Sequence, residues 1–392
     1  SGSAYKKSAV LSMGKWKNQV FVDGVAMNLA RWPNAGEDPL DPVFLEADSG
    51  TDDTKIVDSA LTQPNGYWNG AGVVAGDHYR WTIASGTVTS YTTGQLNVSM
   101  HSTFGLGVNN GHGSPYYLIG KLEALDHPGE WYYDDSTQTL YLRTPDSDNP
   151  AGHTVEVKAR NLAFNLNNKH YIRIQGVKLF ANTLDTNNAS NIVIDGIEAK
   201  YVSHYELSHI NGVHQWPLSG IQLGGSNNVL KNSIIAYSPG NLVSMAGENN
   251  QVVNNLMHDA AYGPAYTTNQ AHIYITGKDH LISHNTLYNS GRGVIAGSPN
   301  NARIQYNYAY DVMKLTDDGG FIYISNTDGN GTEIHHNIFH NAATNPPHGI
   351  VGGIYLDFGS WDFKVYRNVV SGVNTFGVFF HSYNLFTHAY NN

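Results

Sequence analysis

The chain of 392 residues has no cysteine, and only 14% of its residues are charged. The first absence excludes a disulfide framework and a thiolate metal site. The scarcity of charge is mostly a scarcity of cations: 22 Lys and Arg stand against 32 Asp and Glu, for a formal net charge of −10. Nucleic-acid binding needs a basic stripe, and the sequence has none, so no nucleic-acid partner is expected. A polyanionic polysaccharide would be repelled at long range, which leaves neutral ligands as the better fit. No apolar run reaches about 18 residues, so neither a transmembrane helix nor a membrane partner is expected. The sequence is also too poor in Glu, Lys, Leu and Ala for a helical bundle. What it has instead is 41 Gly, 25 Tyr and 19 His, with 41% hydrophobic residues. That composition is rich in turns and aromatics and can still bury a large core.

The strongest pattern is periodic. Short aliphatic strands end on Gly or Asn at Gly176, Gly196, Asn232, Asn255, Asn285, Asn307, Asn337 and Asn368. The spacings are 20, 36, 23, 30, 22, 30 and 31 residues, a base period near 20–23 with additions. Such a series reads as a solenoid whose loops grow on one side. Asn at one place in each coil can form an amide ladder and tolerates the left-handed turn conformation. The expected fold is therefore all-β: a right-handed parallel β-helix from about residue 155 to the end. An antiparallel sandwich is the alternative.

Residues 1–150 have a different texture and read as a β-rich module, with residues 151–392 as the solenoid. Val20-Phe21-Val22-Asp23-Gly24 starts one hairpin; Trp131–Tyr133 and Leu140–Leu142 flank another. No polar cap follows the last repeat, so a fragment truncated at its C-terminus is expected, as is a monomer. The cysteine-free composition is compatible with a secreted bacterial protein.

A second strand precedes each Gly or Asn position by about a dozen residues. The central residues Gln222, Ser244, Tyr274, Tyr323, Tyr355 and Phe379 point outward by the period-two rule. Aromatics in such a row are either a platform for sugar rings or stacked on one another. Two residues further on lie Thr276, Ser325, Asp357 and His381, and small residues recur at Gly293, Gly320, Gly353 and Gly377, as a groove requires. Glycoside cleavage commonly uses two carboxyl groups. Asp318, beside glycines at a strand entrance, is the first candidate, and Asp311 or Asp357 the second. Asp317 reads as a turn cap whose charge raises the pKa of Asp318. An extended strand would hold Asp318 and Asp357 well over 10 Å apart unless the chain turned back at Gly319-Gly320. Asp311 and Asp318 bracket one short loop, so that pair ranks first.

The phrases Asp318-Gly319-Gly320-Phe321-Ile322-Tyr323 and Gly353-Ile354-Tyr355-Leu356-Asp357 resemble those of β-helix glycoside hydrolases. So do Phe21-Val22-Asp23-Gly24, Ala30-Arg31-Trp32-Pro33-Asn34 and Gly129-Glu130-Trp131-Tyr132. The groups in question are β-xylosidase-like and lacto-N-biosidase-like enzymes. The resemblance implies that Asp318 is the carboxylate before Gly-Gly and that Asp311 is similar to its partner in the lacto-N-biosidase-like group. Asp357 lies where the xylosidase-like group has a Glu, so the substrate does not transfer. Gly111-His112-Gly113 matches a pectinase motif only by chance, being in the N-terminal module.

The function expected is hydrolysis of a neutral or weakly charged glycan, with Tyr274, Tyr323, Tyr355, His381, Asp317 and Trp216 as substrate contacts. The loop that carries His204, Tyr205, Glu206, His209, His214 and Trp216 would wall one end of the groove. No catalytic metal or cofactor is expected, although Asp/Asn-rich turns suit structural calcium. His335 and His336, adjacent on a strand, should face opposite sides. The rival readings are a lyase using Lys314, Arg292, Arg303 or Tyr310 for β-elimination, and a glycan-binding adhesin without catalysis.

Overall fold

The computed structural model describes residues 4–392 except 12, 37, 102–104, 110, 208–219, 264–269 and 343–348. The chain divides into two units near residue 160, and residues 204–207 and 263 group with the first.

The first unit is built mainly of antiparallel sheets. Val20–Val22 and Val25–Ala26 form a hairpin around Asp23 and Gly24, both at positive φ. Glu130–Asp134 pairs with Thr139–Arg143, Trp131 opposite Leu142. A seven-stranded sheet around Gly72–Gly76 and Ile83–Thr92 covers a core that includes Trp68, Tyr116 and Leu118. His204 lies 3.2 Å from Glu206 within this unit, while His209, His214 and Trp216 lie outside the described residues.

In the second unit the chain winds through three sheets. The front sheet has nine strands, from Leu162–Asn165 to Phe376–Phe380. The second also has nine, from Arg173–Gln175 to His388–Tyr390, and the third has eight, from Lys178–Phe180 to Val369–Val373. Each strand pairs in parallel with the equivalent strand one coil away. Parallel neighbours linked by crossovers wind right-handedly; the unit is a right-handed parallel β-helix. Its first coil strand is Leu162–Asn165, later than the expected start near 155, because Val155–Val157 pairs antiparallel with Val20–Val22 in the first unit. Among the described residues no helix is long and apolar enough to cross a membrane.

Inward residues stack coil upon coil. Leu230, Val252, Ile282, Ile304 and Ile334 occupy one row, all fully buried. Each second-sheet strand then turns through a residue at positive φ: Asn232, Asn254, His284, Tyr306, His336 and Arg367. The next residue enters a buried amide ladder. Asn255, Asn285, Asn307, Asn337 and Asn368 each donate Nδ2 and the backbone N–H to the Oδ1 of the Asn one coil on. Asn232 is therefore not in this row: Ser233 is, and its N–H donates to Asn255 Oδ1. The spacing of 23 read from Asn232 to Asn255 mixed an exposed corner with a buried rung.

The corner also corrects the expectation for His335 and His336. His336 has φ +54, so the two rings do not alternate; their Nδ1 atoms are 2.7 Å apart. His336 stacks on Tyr306 and His335 on Tyr366. Among the described residues no group of three potential ligands is arranged around a metal position.

Burial of neutral histidines makes the β-helix acid-sensitive. His272 is fully buried, its Nε2 donating to the Tyr288 carbonyl at 2.9 Å, and burial pushes its pKa down to about 4. His280 is lowered for the same reason; its Nδ1 accepts from the Asn250 N–H and its Nε2 donates to the Thr276 carbonyl. The unfolded chain takes up these protons first as pH falls, so the stability contribution is complete above about pH 6.5 and declines towards pH 4. For His272 the loss approaches about 3 kcal/mol. Urea midpoints measured between pH 7 and 4.5 should fall, and His272→Gln should flatten that fall. An equally steep profile in the variant contradicts the assignment.

Candidate active site

The site is assembled on the front sheet by two adjacent coils, those of Gly319–Ile324 and Val351–Leu356. The outward row runs Gln222, Ser244, Tyr274, Ala296, Tyr323, Tyr355, Phe379 in register. Ala296, which the repeat reading passed over, separates Tyr274 from the Tyr323–Tyr355 pair. Those two tyrosines are not an open stripe. They are 5% and 3% exposed, and their rings meet edge to face at 5.3 Å. Tyr274 is half-buried.

Their hydroxyls converge on a carboxylate. Tyr323 Oη donates to Asp357 Oδ2 at 2.6 Å, the Phe358 N–H donates to Oδ1 at 2.7 Å, and His381 Nδ1 lies 2.8 Å from Oδ1. Asp357 and His381 come to one place because each sits two residues beyond the row, on adjacent strands.

Asp318 reaches the same place from the other end of its strand. Gly293, Gly320, Gly353 and Gly377 form a row of close backbone approach. A Cβ on Gly320 would lie 2.7 Å from the Gly353 carbonyl, and one on Gly353 would lie 2.2 Å from that of Gly377. Pairing is interrupted there, Gly320 facing Gly352 and Ile322 facing Ile354 with no pair between. Just before the glycines, Asp318 itself adopts φ +57, a left-handed conformation that Asp tolerates. The chain thereby folds back, and the Asp318 carboxyl comes close enough to Tyr355 and Asp357 for both to act on its titration.

Arg292 fixes that turn. Its Nη1 donates to Thr316 Oγ1 (3.2 Å) and the Asp317 carbonyl (3.4 Å), and its Nη2 donates to the Asp318 carbonyl (2.8 Å). The guanidinium lies 5.2 Å from the Tyr323 ring centre. Asp317, by contrast, is fully buried against Gly349 and does not line the groove.

The structure pairs Asp318 with Asp357, not with Asp311. Asp311 is exposed at the end of a third-sheet strand, in a corner row with Asp259, Asn289 and Asn341, all at positive φ. The loop between Asp311 and Asp318 crosses from one sheet to the next, which is why closeness in sequence misleads. Of the four lyase candidates only Arg292 is at the site. Lys314 bonds Asn289, Tyr310 stacks between Tyr288 and His340 on the third sheet, and Arg303 lies on the second.

Electrostatics separate the two carboxyls. Burial raises Asp318, Arg292 opposes that, and the charge of Asp357 adds to it. Burial also pushes Asp357 up, but the hydrogen bonds from Tyr323, Phe358, His381 and Tyr355 outweigh it, so its pKa falls below the usual value. The surroundings thus push the two carboxyls in opposite directions. The sequence reading missed Phe358, 50% exposed, and Tyr383, 71% exposed, which meet edge to face at 5.3 Å beside Asp357 and His381. Their positions just after those two residues were the available signal.

A family profile described as "Right handed beta helix region" matches residues 219–392. A solved structure described as a glycoside hydrolase superposes on 96% of this chain and 77% of its own, with a TM-score of 0.73 at 14% identity. The chain shares its right-handed β-helix fold with that structure. Two further structures align with this β-helix far more loosely. One is the catalytic domain of a GH87 alpha-1,3-glucanase in complex with tetrasaccharides (TM-score 0.28, 10% identity, 96% of this chain and 86% of that one). The other is the tailspike gp61 of Pseudomonas phage phi297 (TM-score 0.30, 12% identity, 84% and 58%). No curated protein sequence matches the β-helix chain.

Proposed function

We propose that the protein is a glycoside hydrolase acting on a neutral or weakly charged glycan, with Asp318 as proton donor and Asp357 as the ionised partner. The observation that carries this reading is the pair of front-sheet carboxyls beside Tyr355, close enough to act on one another, whose surroundings drive their pKa values apart. Such divergence assigns acid and base. Asp318, kept protonated by burial, supplies the proton to the leaving oxygen. Asp357, held ionised by three or more donors, attacks the anomeric carbon or activates water. His381 and Tyr323 orient Asp357, and Arg292 positions Asp318. The protein's low content of Lys and Arg, and the dispersal of Lys314, Tyr310 and Arg303, weigh against β-elimination.

The test is release of reducing ends from a panel of neutral polysaccharides and oligosaccharides, with ultraviolet absorbance as the monitor for unsaturated uronates. Reducing ends without that absorbance support hydrolysis; the absorbance, or no cleavage of any panel member, opposes it. The pH profile of kcat/KM should be a bell, its acidic limb set by Asp357 and its basic limb by Asp318. Tyr355 lowers the pKa of both groups, so Tyr355→Phe should move both limbs to higher pH. Limbs that stay fixed, or move down, contradict that role.

A further inference from the structure

Beside the carboxyl pair, at the C-terminal ends of the front-sheet strands, lies an open depression of about 450 Å³. It is lined by Lys278, Ser298, Asn300, Asn326, Thr327 and Asp328, with Gly277 at its edge. These residues belong to the three coils that precede the coil of Asp357. The depression adjoins the site: the Asn326 N–H donates to the Phe358 carbonyl at 2.8 Å, and Phe358 directly follows Asp357. A Cβ on Gly359 would lie 3.1 Å from Asn326 Oδ1, so glycine keeps that edge low.

Resting on the hydrolase reading, we propose that this depression is a subsite for an uncharged sugar residue of the substrate, on the side of the cleaved bond towards the earlier coils. Its lining is an array of hydroxyl and amide groups, and such an array pairs with sugar hydroxyls, which both donate and accept. Charge within it is balanced. Lys278 is engaged with Glu248 at 3.2 Å, and Asp328 is the acidic member, so no net positive field favours a uronate. Ser298 is exposed, and its Oγ lies 3.3 Å from that of Thr327, a bond readily exchanged for one to a ligand. Phe358, whose carbonyl accepts from Asn326, is half-exposed beside the carboxylate. Coils are stacked at about 4.8 Å, so the depression extends roughly 5–15 Å from the plane of Asp357, the range of the first units beyond the reacting one.

The experiment uses the full chain carrying Asp318→Asn, with and without Ser298→Trp, titrated with xylotetraose, cellotetraose, laminaritetraose and lacto-N-tetraose by calorimetry. Ser298→Trp fills the depression from an exposed position, and an unchanged thermal midpoint certifies the fold. At least one tetrasaccharide should bind the single variant, and binding should weaken tenfold or more in the double variant. In the active protein Ser298→Trp should erase any preference for that tetrasaccharide over its disaccharide. Equal affinity in both variants overturns the subsite even if hydrolysis is established. Binding that Ser298→Trp abolishes, in a protein that cleaves nothing, upholds the subsite and overturns the hydrolase reading. No binding of any of the four overturns the subsite as well.

Discussion

Asp318→Asn should lower turnover on a natural glycan by about a thousandfold, within the range that general acid catalysis supplies. The substitution keeps the size and hydrogen-bonding shape of the side chain but removes the proton that burial holds on it. The loss should depend on the leaving group. A nitrophenyl glycoside departs without protonation, so the deficit on that substrate should shrink to tens of fold or less. Asp357→Asn should behave differently, because a missing nucleophile or base is needed whatever departs; both substrates should lose about a thousandfold or more. Asp311→Asn, at an exposed corner of the third sheet, should leave both rates within about twofold. Rates measured for the three variants on the two substrates check all of this. A large deficit in the Asp311 variant would restore the sequence-adjacent pair.

Asn307→Leu should destabilise the β-helix by about 3–6 kcal/mol. Asn307 Oδ1 accepts from the backbone N–H and Nδ2 of Asn285, while its own Nδ2 donates to the Ile282 carbonyl and to Asn337 Oδ1. Leucine leaves the buried Asn285 N–H without its acceptor, at about 1–3 kcal/mol, and removes one bond each from Asn285 Nδ2, Asn337 Oδ1 and the Ile282 carbonyl, at about 0.5–1.5 kcal/mol each. The comparison is Asn254→Leu in the exposed corner row. There the amide bonds only Asn232, and the main cost is a left-handed backbone carrying a bulky residue, about 1–2 kcal/mol. Urea unfolding of the two variants should separate them clearly. Equal losses would mean that the buried ladder contributes no more than the corner.

The solenoid was legible because its physics repeats. An inward aliphatic row and an amide rung recur in each coil, and a single sequence shows both. The exact rung was less legible, since Asn232 and Asn255 look alike although one is an exposed corner and the other a buried ladder member. The outward row was read correctly for Tyr323 and Tyr355 but not their exposure, which depends on how Phe376 and Arg292 close over them. Asp318 and Asp357 were both singled out, yet their pairing was ranked second. That ranking assumed a straight strand, and the straightness fails at a row of glycines whose close approach is visible only between coils. The role of Arg292 was hidden for the same reason: it grips a hydroxyl and two backbone carbonyls 24–26 residues later, and no spacing rule reports that.

The central claim is that two carboxyls on one face hold opposite protonation states. Carboxyl-carbon NMR of the protein labelled at Asp, with Asp318→Asn and Asp357→Asn used to assign the two signals, tests it most directly. Asp318 should titrate above the ordinary value for Asp, about 3.9, and Asp357 below it. The reverse order, or two ordinary titrations, would contradict the assignment of Asp318 as acid and Asp357 as its ionised partner.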